Sequence, residues 1–265
     1  MVRKKKSSVK PQGLVHTKRR QVEDTDGWTH IIDTPKTKKA TPKTPAFHGG
    51  DFEIGGVSYV NRTLEEIKDE FEHFKRAWEE RPACHDLKSK LQDLNNIENI
   101  IILGLGSLQT SRREGRRTSA TQLAALQTIL EILREADGTT AAGDRKDLPV
   151  VLQDPQYTEI DKAFLSSLGY KVVDDPEAFK EVTEGSLVYA IHCYGPVYKS
   201  ISEGPRPRVF IGTDIENFGR LGTDEELKVQ LDEMVKDCQI LDFPQVRHDF
   251  SDTKIYWRKE STFRA

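Results

Sequence analysis

A run of apolar residues from Ile100 to Leu103 leads into Gly104-Leu105-Gly106-Ser107, a pattern by which α/β folds present bare backbone to a ligand. Glycine permits positive φ and close approach, and a helix that follows would offer N–H groups and a positive dipole end to an anion. The full dinucleotide fingerprint would need a third glycine at position 109, where the chain has Gln109, so a nucleotide cradle and a plain tight turn both remain open. Further along, His192-Cys193 pairs an imidazole, the side-chain type suited to give or take a proton near neutrality, with a thiol. His192 is the best candidate for proton transfer or metal ligation; Cys193 suits a thiolate nucleophile, a soft ligand or a small buried apolar residue. Asp154, before Pro155, stands where related folds hold a ribose hydroxyl, although it lies far beyond the usual ~20 residues from the glycines. Closing a turn is its plainer role. With Gly212 and Asp214 in Gly212-Thr213-Asp214, these residues form one candidate ligand-binding set: Gly104, Gly106, Ser107, Asp154, His192, Cys193, Gly212 and Asp214. The segment Gln109–Thr118 adds Arg112, Arg113, Arg116 and Arg117, whose guanidinium forks suit phosphate, or which decorate a solvated loop.

To bring these residues together the chain needs strands whose ends meet. Glu98–Leu103 is the first predicted strand, and Ser119 with Gln122 caps a helix to about Glu135. Strands follow at 149–153, 171–173, 187–191 and 208–211, separated by helices from Thr158 to Gly169, after Asp175-Pro176, and over 196–201. A final helix capped by Thr223 and Glu226 precedes an edge strand at 254–257. This alternation predicts a Rossmann-like, doubly wound, mostly parallel α/β sheet of about five to six strands with helices on both faces. In the usual 3-2-1-4-5 order, strands one and four are neighbours at the topological switch point, where ligands bind. Ahead of this core, Thr63 and Glu66 form a capping box for a helix carrying Leu64, Ile67, Phe71, Phe74 and Trp78. Pro82 ends it, and a shorter helix carries Leu87, Leu91 and Leu94. Both are expected to cover the sheet.

Composition divides the 265 residues in two. Residues 1–50 carry 12 Lys/Arg against 4 Asp/Glu, leaving 28 against 39 for the rest: a basic tail on an acidic body. The tail is poor in large apolar residues and reads as disordered, apart from an apolar island around Trp28-Thr29. Its clusters Arg3–Lys6 and Lys18–Arg20 are spaced like a bipartite nuclear import signal, or serve as a solvated leader. Thr34, Thr41 and Thr44 each precede proline, as proline-directed kinases require. The acidic body is a poor nucleic-acid surface. Three cysteines without CxxC spacing indicate neither a disulfide framework nor a zinc site. No apolar run approaches the ~18 residues of a membrane span, and no signal sequence opens the chain. The expected organisation is a tail over 1–50 and one domain over 51–265, with a helical lead-in at 63–95 and a sheet core at 98–258. The expected location is cytoplasmic, with the nucleus added if the basic clusters act.

Taken in order, Gly104-Leu105-Gly106-Ser107, Gln122-Leu123-Ala124, Gln153-Asp154-Pro155, Leu168-Gly169, His192-Cys193 and Phe250–Trp257 resemble the Sensitivity to Red Light Reduced, or SRR-like, family over about residues 60–258. Ile191 replaces the proline that usually precedes His-Cys, and Gly212-Thr213-Asp214-Ile215 replaces Gly-Asn-Ser-Phe. The resemblance implies an intracellular regulatory protein of signalling, with clock, stress and haem associations, and brings no settled reaction. Three functions follow as expectations: a regulator with a small-ligand pocket and a tail that engages protein partners; a methyltransferase-like enzyme using S-adenosylmethionine or another nucleotide; and a haem-binding regulator using His192 or Cys193. Cys193 lacks the following proline of a Cys-Pro haem signature. No nucleophile, base and orienting acid can be named together, and no metal ligands are assigned.

Overall fold

The computed structural model describes residues 19–23, 29–33, 50–136, 148–217 and 225–258. The chain divides into two units, Met1–Ala46 and Phe47–Ala265. In the first, β1 (Arg19–Glu23) pairs antiparallel with β2 (Thr29–Asp33), so part of the apolar island forms a strand. Trp28, the Arg3–Lys6 cluster and the three Thr-Pro pairs lie outside the described residues, as does most of the expected disordered tail.

The second unit opens with a hairpin, β3 (Phe52–Ile54) and β4 (Val57–Tyr59), turning through Gly55-Gly56. Helices α1 (Leu64–Glu79) and α2 (Pro82–Leu91) follow. The predicted capping box is present: the Glu66 N–H donates to Thr63 Oγ1 at 3.2 Å and the Thr63 N–H to Glu66 Oε2 at 2.7 Å. The core alternates β5 (Asn99–Leu103), α3 (Arg113–Ala136), β6 (Val150–Gln153), α4 (Glu159–Ser167), β7 (Lys171–Val172), a 3₁₀ turn (Glu177–Glu181), β8 (Ser186–Ala190), α5 (Gly195–Ser202) and β9 (Val209–Thr213). It closes with α6 (Glu225–Val235), β10 (Gln239–Asp242) and β11 (Thr253–Trp257). Gly169, at φ +85°, supplies the left-handed position after α4. Thr223, the expected cap of α6, lies outside the described residues.

The seven-stranded sheet runs β10-β11-β9-β8-β5-β6-β7. Its five parallel strands take the expected 3-2-1-4-5 order, with β5 paired to β8 and to β6. Strand side chains alternate between two buried clusters. Ile100, Ile102, Leu152, Tyr189 and Ile211 join α1–α4 on one face, while Ile101, Leu103, Val151, Val188 and Phe210 join α5 and α6 on the other. Burial on both faces is what a doubly wound sheet requires.

Two expectations change. The predicted edge strand at 254–257 lies inside the sheet, because Gln239–Asp242 adds a further antiparallel strand beyond it. Helix α3 begins at Arg113, not Ser119, which is 4% exposed; the arginine segment is therefore largely helical, and hydrophilic composition hid its first turns. Helices α1 and α2 share one buried cluster with the strands, as expected, and pack chiefly on α3, with α1 also on α4. That layering explains α3, which buries residues on nearly every side from Ser119 to Leu133. Trp78 on α1 donates its indole N–H to Thr128 Oγ1 on α3 at 2.9 Å. No helix among the described residues is long and apolar enough to cross a membrane.

Candidate functional site

At the carboxyl end of β5 the chain turns through Gly104 at φ +67° and Gly106 at φ +83°. Only glycine fits either position. A Cβ at 104 would lie 2.6 Å from Cys193 Sγ, and one at 106 would lie 2.7 Å from Ser119 Oγ. The loop is held by its own protein. The Gly104 N–H donates to the Gln153 carbonyl at 3.1 Å and the Gly106 N–H to Asp154 Oδ2 at 2.7 Å. Asp154 Oδ1 takes the Gln156 N–H at 2.7 Å, so the carboxylate ties the β6 end to the glycine turn. Deeper in, the fully buried Asp161 accepts the Ser107 hydroxyl at 2.6 Å, the Leu108 N–H at 3.0 Å and the Thr158 N–H at 2.9 Å. The Gln109 N–H goes to Ser107 Oγ at 2.9 Å. Burial, the largest influence on both acids, pushes the Asp154 and Asp161 carboxyls above the usual range, while these hydrogen bonds oppose it.

His192 and Cys193 leave β8. His192 adopts φ +55°, uncommon for a residue other than glycine. Its Nε2 lies 2.7 Å from the Ser251 carbonyl; a carbonyl only accepts, so Nε2 is the donor in this bond. The Cys193 thiol donates to the Leu103 carbonyl at 3.3 Å. Burial, reinforced by Asp154, pushes it up to about 12, so at neutral pH it is a thiol and not a thiolate.

Gly104, Gly106, Asp154, His192 and Cys193 line one cleft of about 280 Å³, walled by Asp175, Phe179, Tyr194 and Val197; among the described residues no lysine or arginine lines it. Tyr194 is 81% exposed at the start of α5. The other candidates stand apart. Ser107 lines a neighbouring hollow with Arg112, Ser119 and the β3–β4 hairpin. Gly212 lies within β9, where a Cβ would meet the Phe210 ring at 2.4 Å and the Ala190 carbonyl at 3.0 Å, so it serves strand packing. Asp214 accepts the Glu216 N–H at 3.1 Å and lies 3.8 Å from Lys254 Nζ, closing the turn after β9.

Asp161 and Asp175 went unmarked in the sequence. Asp161 carried a signal, since Thr158 and Asp161 have the spacing of a capping pair, and both halves of that box form. Asp175 carried none: it accepts from Gln153 Nε2 at 2.6 Å across two strand ends. The arginines also divide. Arg116 donates to the Thr110 carbonyl at 2.7 Å, whereas Arg113 and Arg117 line a separate cleft with Arg81 and Arg247. Among the described residues no group of three or more His, Cys, Asp or Glu is placed to hold a metal ion.

No curated protein matches the chain. The family model for the SRR1 domain matches residues 65–257, from the start of α1 to the last residue of β11, and takes in every residue of the cleft. The chain is a member of the SRR1-domain family.

Proposed function

We propose that this protein is a regulatory small-ligand sensor whose cleft at the ends of β5, β6 and β8 takes a nucleoside-like molecule. One observation carries this: the cleft opens at the switch point of the sheet, yet both glycine amides of the turn, at Gly104 and Gly106, and those of Leu108 and Gln109 are already donated inside the protein. With no lysine or arginine among the described lining residues, the cleft favours a neutral or cationic ligand over a dinucleotide. Asp154 and Asp175 can accept from hydroxyls or an amine, Phe179 and Tyr194 offer aromatic faces, and His192 adds an imidazole to the lining. At about 280 Å³ the cleft falls near the lower end of the roughly 300–1,000 Å³ of small-molecule sites, a size for a nucleoside and not a macrocycle.

A methyltransferase-like enzyme is the second reading, and the same acidic lining favours it, because S-adenosylmethionine is a cationic nucleoside. Haem fits these residues poorly. Thiolate ligation would oppose the raised Cys193 pKa, and His192 Nε2 is tied to Ser251. Clock or stress signalling, a tail that engages protein partners, and a cytoplasmic or nuclear location belong to the same proposal and rest on family membership and tail composition.

Native mass spectrometry and thermal melting of the full chain test it, with adenosine, S-adenosylmethionine, S-adenosylhomocysteine and haem as probes. A nucleoside at a hundred times its Kd stabilises the fold by about 2.7 kcal/mol, and S-adenosylmethionine turnover would select the enzyme. A bare chain whose midpoint ignores all three nucleosides overturns the ligand reading. A Soret band lost with His192 or Cys193 would restore haem.

A further inference from the structure

Away from the strand ends, a second cleft of about 410 Å³ opens between α1, the first turns of α3 and the segment between β10 and β11. Arg81, Arg113, Arg117 and Arg247 line it, although the body around them carries 28 Lys/Arg against 39 Asp/Glu. Its two acids are both held by one arginine. Arg117 pairs with the fully buried Asp249 and with Glu114, whose Oε2 lies 2.8 Å from Arg117 Nη2. Arg113 and Arg247 make no ion pair within 4 Å among the described residues, and Arg247 adopts φ +51°. Phe74, Ala77 and Val246 supply an apolar floor.

We infer that this cleft binds a phosphate-bearing small molecule, independently of the strand-end ligand. Planar guanidinium forks on separate elements match the oxygens of a phosphate or pyrophosphate, and each charge-assisted bond is stronger than a neutral one. Arg117 is spent on Asp249 and sets the wall; Arg113 and Arg247 remain for the anion, with Arg81 beside them. The apolar floor accommodates the body of a phosphorylated metabolite. The cleft shares no lining residue with the strand-end site, so the two proposals stand or fall separately.

Calorimetric titration of the full chain with pyrophosphate is the test, set against Arg113→Ala/Arg247→Ala and Arg113→Lys/Arg247→Lys. Both arginines are exposed, so unchanged melting midpoints without ligand establish that the variants fold. The expected result is saturable binding that weakens about tenfold or more in the alanine variant, is only partly recovered by lysine, and is unchanged in His192→Asn. The basic tail is common to all four proteins and cancels from the comparison. Equal affinity in the alanine variant overturns the site. Binding of a phosphothreonine peptide without binding of pyrophosphate also overturns it, assigning the cleft to a phosphorylated protein.

Discussion

Cys193 Sγ fills the space that a Cβ on residue 104 would need, 2.6 Å from that position. Two strand ends ninety residues apart are thereby fitted to one another, and the same thiol donates to the Leu103 carbonyl. Gly104→Ala should lose about 2–4 kcal/mol, from left-handed strain plus overpacking. Pairing it with Cys193→Gly should restore the overpacking part and leave the strain. Denaturant unfolding of the two single variants and the double checks this; a Gly104→Ala protein of wild-type stability would refute the packing.

Because Cys193 ionises only near pH 12, it should resist alkylation. With the thiolate as the nucleophile, iodoacetamide at pH 8 should modify Cys193 at least about a hundredfold more slowly than the denatured chain. Site-resolved mass spectrometry reads the rate, and labelling at the denatured rate would return Cys193 to the nucleophile candidates.

The two raised carboxyls give a signed pH effect. Asp154 and Asp161 bind protons more tightly folded than unfolded, so folding takes up protons between the ordinary carboxylate value of about 3.9 and their raised values. Their unfavourable contribution is absent below that window and complete above it; stability owed to the pair therefore falls as pH rises through it. Carbon-detected titration of the two side chains should place both midpoints above the ordinary range. Midpoints below it would mean that the backbone hydrogen bonds outweigh burial.

His192 joins an unusual backbone conformation to one hydrogen bond. Asparagine tolerates the left-handed region, so His192→Asn should cost about 1 kcal/mol or less, while removing the imidazole that lines the cleft. The expected outcome is a near-wild-type melting midpoint with a diminished nucleoside-induced shift. An undiminished shift would remove His192 from the site.

Much of this arrangement was legible in the chain. The capping pair at Thr63, the helix start at Thr158, Gly169 after α4 and apolar strands between helices determine the parallel core, since each is a local signal that agrees with its neighbours. The junction of Gly104, Asp154, His192 and Cys193 in one cleft followed from strand order alone. What each residue does there was not legible. That Asp154 holds the Gly106 amide, or that the Cys193 thiol is desolvated, depends on contacts across 48 and 90 residues, beyond any periodicity. Gln239–Asp242 escaped notice because only one of its four residues is even half-buried, so it lacks the apolar alternation of an inner strand. Arg113–Arg117 escaped because a polar first turn resembles a loop.

The place of β11 constrains how this protein can be made. It lies between β9 and β10, both of which precede it in the chain. Until Thr253–Trp257 has emerged from the ribosome, β9 presents an open edge and β10 has no strand to pair with. Unpaired edges recruit other chains, and domains tend to fold as units during synthesis. Strand β11 is thus a closing step: a nascent chain halted before residue 253 would hold all five parallel strands and still expose the flank that β11 covers.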